Sequence, residues 1–133
     1  MKKLFLDSDV ILDILLMRPS HYQPAANLIA LAGQYMFITS SVAFVNVHYF
    51  LDKFDRQNKI SLLAILRPIV SIVEVGEHVI DMALKSNLPD FEDAVQYYAA
   101  ISANANFIIT RNIKDYKRST IPVLTPEQFL KTL

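Results

Sequence analysis

No cysteine occurs in the 133 residues, which excludes disulfides, thiolate metal sites and a cysteine nucleophile and is compatible with a cytosolic setting. Neither sign of charge is in excess, since 13 Lys plus Arg meet 13 Asp plus Glu. Attraction to nucleic acid must then come from a local patch. Long hydrophobic runs are also missing. "ISLLAILRPIVSIVEV" is cut by Arg67 and Pro68, well short of the ~20 apolar residues that a span requires. "MKKLFL" meets Asp7, Asp9 and Asp13 before the apolar core of a signal peptide can form. The expectation is a cytoplasmic protein with no membrane segment. Glycine is limited to Gly33 and Gly76, so no glycine-rich flap can be built.

What is present is apolar material, 53% of the residues, enough for the core of one domain over residues 1–133. Short runs rich in branched and aromatic residues, "KLFL", "YMFIT", "IVSIVEV", "NFIIT" and "IPVL", alternate with longer segments of helical spacing. That alternation predicts an α/β fold, a three-layer α/β/α sandwich around a mainly parallel sheet of about five strands. Helices are expected over 9–17, 21–33, 41–55, 58–67, 77–86, 90–104 and 126–132, with Pro19, Pro68, Pro89 and Pro126 near their ends.

In open parallel sheets ligands bind beyond the carboxyl ends of the strands. Asp7 ends the first predicted strand, Ser40 and Ser41 the second and Thr110 the fourth; Asp9, Asn46, Asn112 and Asp115 follow closely. Asp7, Ser8 and Asp9 can equally cap the helix that they open. Asp13, one turn on, is expected at that helix's surface or rim.

In "LPDFEDAVQYYAA", Asp90 suits an N-cap with Asp93 at the third helical position. A spacing of three also places both carboxylates on one face, where hard cations find oxygen ligands. Glu92 points elsewhere on this reading. Asn46 has Val42, Ala43, Tyr49 and Phe50 as helical neighbours, so its amide needs a partner, either a loop or a metal and substrate. His21, His48 and His78 lack metal-ligand spacing and read as structural or surface residues. "TRNIKDYKRS" gathers Arg111, Lys114, Lys117 and Arg118 around Asp115, a basic loop suited to a phosphate backbone. Arg111, at the strand end, can instead serve packing or an acid pair.

The combination resembles the PIN-domain family, in particular small prokaryotic members similar to VapC toxins and PilT N-terminus-type nucleases. "LFLDSDVILDILL" resembles the family's D-T-N-V-L-L-D opening, with Ser8 and Asp9 in place of Thr and Asn. A subgroup resembles the chain further through "SSVAFVNVHYFL", "DFEDAVQYYAA", "FIITRNIKDY" and "IPVLTPEQFL". The resemblance spans nearly the whole length in order. It implies a metal-dependent ribonuclease, with Asp7 as first acid, Asp93 as the acid of the late helix, Asp115 as a further acid and Asp90 as a supplement. Asn46 stands where most members have Glu, and Asn112 where many have Asp. The implied site thus has Asp7, Asp93, Asp115 and Asn46 as catalytic residues, Asp7, Asp90, Asp93 and Asp115 on Mg²⁺ or Mn²⁺, and Asp9, Asn112 and Ser40 at its border. In the implied chemistry the metal orients water and stabilises charge on the phosphate, with no covalent intermediate. The implied partners are an RNA substrate, an antitoxin and a second copy of the chain.

Two other readings use the same residues. "DSDVI" resembles the opening of haloacid-dehalogenase-type phosphotransferases, which would make Asp7 a nucleophile; the missing flap and the lack of a partner lysine count against it. A PIN-like module that binds RNA or protein without cleaving is favoured by Asn46 and Asn112.

Overall fold

The computed structural model describes residues 1–133. Five strands, Lys3–Leu6 (β1), Met36–Ser40 (β2), Val70–Val73 (β3), Phe107–Ile109 (β4) and Val123–Leu124 (β5), form one sheet in the order β3-β2-β1-β4-β5. Every pairing is parallel. Seven helices fill the connections: Ser8–Leu15 (α1), Tyr22–Ile29 (α2), Ser41–Phe54 (α3), Lys59–Leu66 (α4), Glu77–Lys85 (α5), Phe91–Ser102 (α6) and Pro126–Leu130 (α7). Single 3₁₀ turns cover Arg56–Asn58 and Ile113–Tyr116.

The sandwich follows from the pleat of β1. Successive side chains in a strand point to opposite faces, and Leu4, Phe5 and Leu6 are all fully buried, so both faces must be covered. Leu4 and Leu6 join Phe37, Val70 and Ile109 under Val10, Ile11, Leu28, Val47, Leu51, Leu66 and Phe129, the layer of α1–α4 and α7. Phe5 faces the other way, with Ile38 and Ile108, under Val79, Ala83, Ala94, Val95 and Ala99 of α5 and α6. Replacing Phe5 with Ala would cost about 3–5 kcal/mol through the cavity left behind.

All five predicted strands and all seven predicted helices are found, with shifted ends. The helix expected over 21–33 stops at Ile29, because the chain must turn through Gly33, at φ 97°, to enter β2. The helix expected over 9–17 stops at Leu15; Met17 adopts a left-handed φ of 49° shortly before Pro19. No helix is long and apolar enough to cross a membrane.

Candidate active site

From β1 the chain builds β2 and β3 on one side and then returns to place β4 on the other. That reversal opens a crevice at the carboxyl ends of β1 and β4. Asp7 occupies it. Its backbone N–H donates to the Ile109 carbonyl at 3.0 Å, continuing the β1–β4 ladder. Its side chain caps α1, with Oδ1 accepting from the Ser8 N–H at 2.8 Å. Oδ2 accepts from the Thr110 hydroxyl at 3.0 Å and the Tyr116 hydroxyl at 3.1 Å. Capping and site-forming are thus both properties of Asp7.

These donors do not offset the loss of water. Burial raises the Asp7 pKa, and the charge of Asp115 adds to the rise, although the bonds from Thr110, Ser8 and Tyr116 oppose it. Burial also raises the Tyr116 pKa, with Asp7 adding to it, so that hydroxyl remains a donor. Asp9 is pushed up to about 7, chiefly by burial and next by Asp7. Its Oδ2 accepts from the Arg111 N–H at 3.0 Å and from Asn112 Nδ2 at 3.3 Å.

The second group of acids arrives on α6. Asp90 is the N-cap, accepting from the Asp93 N–H at 3.0 Å. Burial, followed by Asp115, Asp90, Asp7 and Glu92, holds Asp93 up at about 7. Asp90, Asp93 and Asp115 line one cavity of about 380 Å³ together with Lys114, Lys117 and Arg118. Three acids and three cations therefore share one concave wall, and Asp7 makes itself felt there through the pKa of Asp93.

An all-oxygen donor set in which burial makes Asp7 and Asp93 resist ionisation suits a hard divalent cation, because the ion would supply the compensating charge that the protein withholds. Asp7, Asp93, Asp115 and Asp90 are the side chains able to hold it. In their present rotamers no three of the acids are close enough together to enclose an ion, so loading requires them to draw in.

The remaining candidates fall less uniformly. Ser40 is fully buried rather than at the site's border; it caps α3 by accepting from the Ala43 N–H at 2.9 Å and donates to Gln96 Oε1. Asn46 donates through Nδ2 to Glu92 Oε1 at 2.8 Å, so Glu92 turns towards the α3 edge of the site, contrary to the sequence expectation. Asn112 borders Asp9. Arg111 is separated from the basic loop by its own bonds: Nε and Nη2 donate to Asp13 at 2.7 and 3.2 Å. Asp13, expected at a surface or rim, has only 1% of its side chain exposed and also pairs with Arg18 at 3.4 Å. The reason is charge compensation: a carboxylate can be buried when two guanidinium groups close over it. Sequence reasoning missed Tyr116 and Gln96 as partners of Asp7 and Ser40. The only signal for Tyr116 was its place directly after Asp115, in the turn that closes over β1.

The family model described as PIN domain matches residues 3–114, and the chain belongs to that family. Membership sets aside the phosphotransferase reading of Asp7. No curated protein sequence matches the chain. Among solved structures it is similar to VapBC2 from Rickettsia felis bound to a promoter DNA fragment, at 21% identity and a TM-score of 0.70, covering 92% of this chain and 96% of that one. It is similar to VapC20 of Mycobacterium tuberculosis, a Sarcin-Ricin loop cleaving toxin, at 14% identity and a TM-score of 0.70, covering 86% and 95%. A toxin-antitoxin complex from Klebsiella pneumoniae gives 22% identity and a TM-score of 0.66, covering 92% and 97%.

Proposed function

We propose that this PIN domain is a Mg²⁺- or Mn²⁺-dependent ribonuclease acting as the toxin of a toxin–antitoxin pair. The observation that carries the reading is the cavity in which Asp90, Asp93 and Asp115 face Lys114, Lys117 and Arg118. A phosphodiester needs cations along its backbone and a metal at the scissile phosphate. Both kinds of group meet there.

Asp7, Asp93 and Asp115 would hold the metal, with Asp90 beside them. Bound there, the metal would lower the pKa of water and stabilise charge on the phosphate. The chain's own residues do the rest. Thr110 and Tyr116 fix the orientation of the Asp7 carboxylate, so that it is the other acids that close on it when the metal arrives. Lys114, Lys117 and Arg118 hold the phosphates on either side.

The similarity to VapC20 and to toxin–antitoxin complexes supports RNA as substrate and an antitoxin as partner. Exposed Val45, Tyr49, Phe50 and Phe54 on α3, with Ile60 and Ile65 on α4, offer apolar surface for that partner or for a homodimer. The test is cleavage of RNA with Mg²⁺ or Mn²⁺, with EDTA and with Asp7→Asn as controls. Metal-dependent cleavage that the variant loses supports the reading. Binding without cleavage would favour the non-catalytic module, for which the amide of Asn46 and the spread of the acids are the arguments.

A further inference from the structure

Asp9 holds the one side-chain oxygen or nitrogen in the protein that is buried with no hydrogen-bond partner, its Oδ1. The other oxygen is crowded. Oδ2 accepts from the Arg111 N–H and from Asn112 Nδ2, and the Thr110 hydroxyl, which bonds Asp7 Oδ2 at 3.0 Å, lies 3.5 Å from it. The carboxylate is therefore clamped through one oxygen, beside Asp7, while the other is buried and accepts no hydrogen bond. Leaving a carboxylate oxygen buried and unbonded is costly, and a bound ion is one of the few things that accounts for such a group in a fold.

Helix capping does not account for it. Asp7 is the N-cap of α1, and the nearby Val10 N–H, although it favours the charged form of Asp9, is directed to the Asp7 carbonyl at 3.2 Å and leaves Asp9 Oδ1 without a hydrogen bond. Nor does ion pairing: the charge of Arg111 favours the ionised form of Asp9, but the guanidinium makes its bonds to Asp13. On the α3 side of the site the residue is Asn46, which carries no charge and gives its N–H to Glu92.

We propose that Asp9, rather than residue 46, supplies the further negative oxygen to the divalent cation, through Oδ1, with Asp7 and Asp93 as its companions. The inference rests on the metal-dependent reading above. Arg111 and Asn112 are then positioning residues, fixing Asp9 by donating to its other oxygen, as outer hydrogen-bond donors orient metal ligands.

The experiment titrates the full chain with Mn²⁺ alone, by calorimetry and by thermal melting, for the wild type, Asp9→Asn and Asp9→Asn with Asn46→Glu. Asp9→Asn should weaken Mn²⁺ binding by roughly tenfold or more and shrink the metal-induced rise in Tm, while the metal-free Tm holds or rises because a like charge has gone. The double variant should recover part of the affinity. Unchanged Mn²⁺ affinity in Asp9→Asn, with a lowered metal-free Tm, would overturn the inference and make Asp9 a structural residue. Failure of the wild type to bind Mn²⁺ would instead remove the metal-dependent reading itself, so the two failures are distinct. If Asp9→Asn does not fold, the carboxyl carbon resonances of the wild type decide: on Mg²⁺ addition the Asp9 signal should shift with that of Asp7, and a fixed Asp9 signal would overturn the inference.

Discussion

Asp9 and Asp13 stand one turn apart on α1, and Arg111 touches both, giving its backbone N–H to the first and its guanidinium to the second. Asp13 is the more deeply enclosed, yet every demand of its charge is met by Arg111 and Arg18. Asp9 receives neutral donors on one oxygen and nothing on the other, and burial beside Asp7 lifts its pKa to about 7. The lesson is that burial alone does not separate structural acids from functional ones. Compensation does, since a paired buried carboxylate has no use for a ligand and an unpaired one is raised in energy until it finds one.

The strongest way to break this contrast is at Asp7, which belongs with the uncompensated group. Asp7→Asn should reduce RNA cleavage by roughly a thousandfold, because metal catalysis contributes several kcal/mol at the transition state. The metal-free Tm should stay level or rise as repulsion with Asp115 is relieved. Single-turnover cleavage beside melting curves reads both, and a collapse of stability with no specific loss of rate would place Asp7 among the structural acids.

Asp13→Ala probes the compensated side. It strips two guanidinium groups of their partner inside the fold and should cost about 3 kcal/mol in denaturant unfolding, the low end for a broken buried pair because both arginines retain some water. Mn²⁺ affinity should not change. If affinity fell instead, the division between the two halves of α1 would be wrong.

The basic wall of the cavity ranks next. Neutralising Lys114, Lys117 and Arg118 together should weaken RNA binding about tenfold and reduce the slope of log K against log [salt] by about two for single strands, as fewer counterions are released. Their exposure limits the change in stability to about 0.5 kcal/mol. Arg111 is left intact because it closes over Asp13. An unchanged salt slope would exclude the loop from the RNA footprint.

pH sharpens the comparison further. Asp9 and Asp93 titrate near 7 in the fold and near 3.8 when unperturbed, so between those values the folded state binds more protons than the unfolded one. Stability of the metal-free protein should then fall as pH rises from about 4 to about 7, by of order 1 kcal/mol once solvent screening is allowed for. Saturating Mn²⁺ should flatten that slope, since the ion takes the place of the protons. A metal-free stability that rises through this window would show that both acids are satisfied as they stand.

Asn46→Glu has the smallest expected effect. It adds charge near the site but also removes the N–H held by Glu92 and sets two carboxylates side by side. Mn²⁺ binding should tighten by less than about tenfold. A loss of affinity would mean that the amide and Glu92 act as a unit.

Much of this protein was determined locally. The alternation of short apolar runs with helical periodicity is enough to write the five strands and seven helices, because burial on both faces of β1 demands "KLFL" and one-sided burial demands an amphipathic helix. Asp90 as an N-cap and Asp7 at the end of β1 are likewise readable, since each needs only its own neighbours in sequence. The order β3-β2-β1-β4-β5 was not; it depends on which strands pair across long separations, and it alone sets Asp7 beside Thr110 and Tyr116. The same holds for the fates of the acids. Asp9 and Asp13 look alike in "DSDVILD", and only the return of residues 110–112 to the end of β1 delivers a guanidinium to one and leaves the other an unpartnered oxygen. Charge compensation is a property of distances in space, and a linear sequence records helix-making tendencies far more directly than it records those distances.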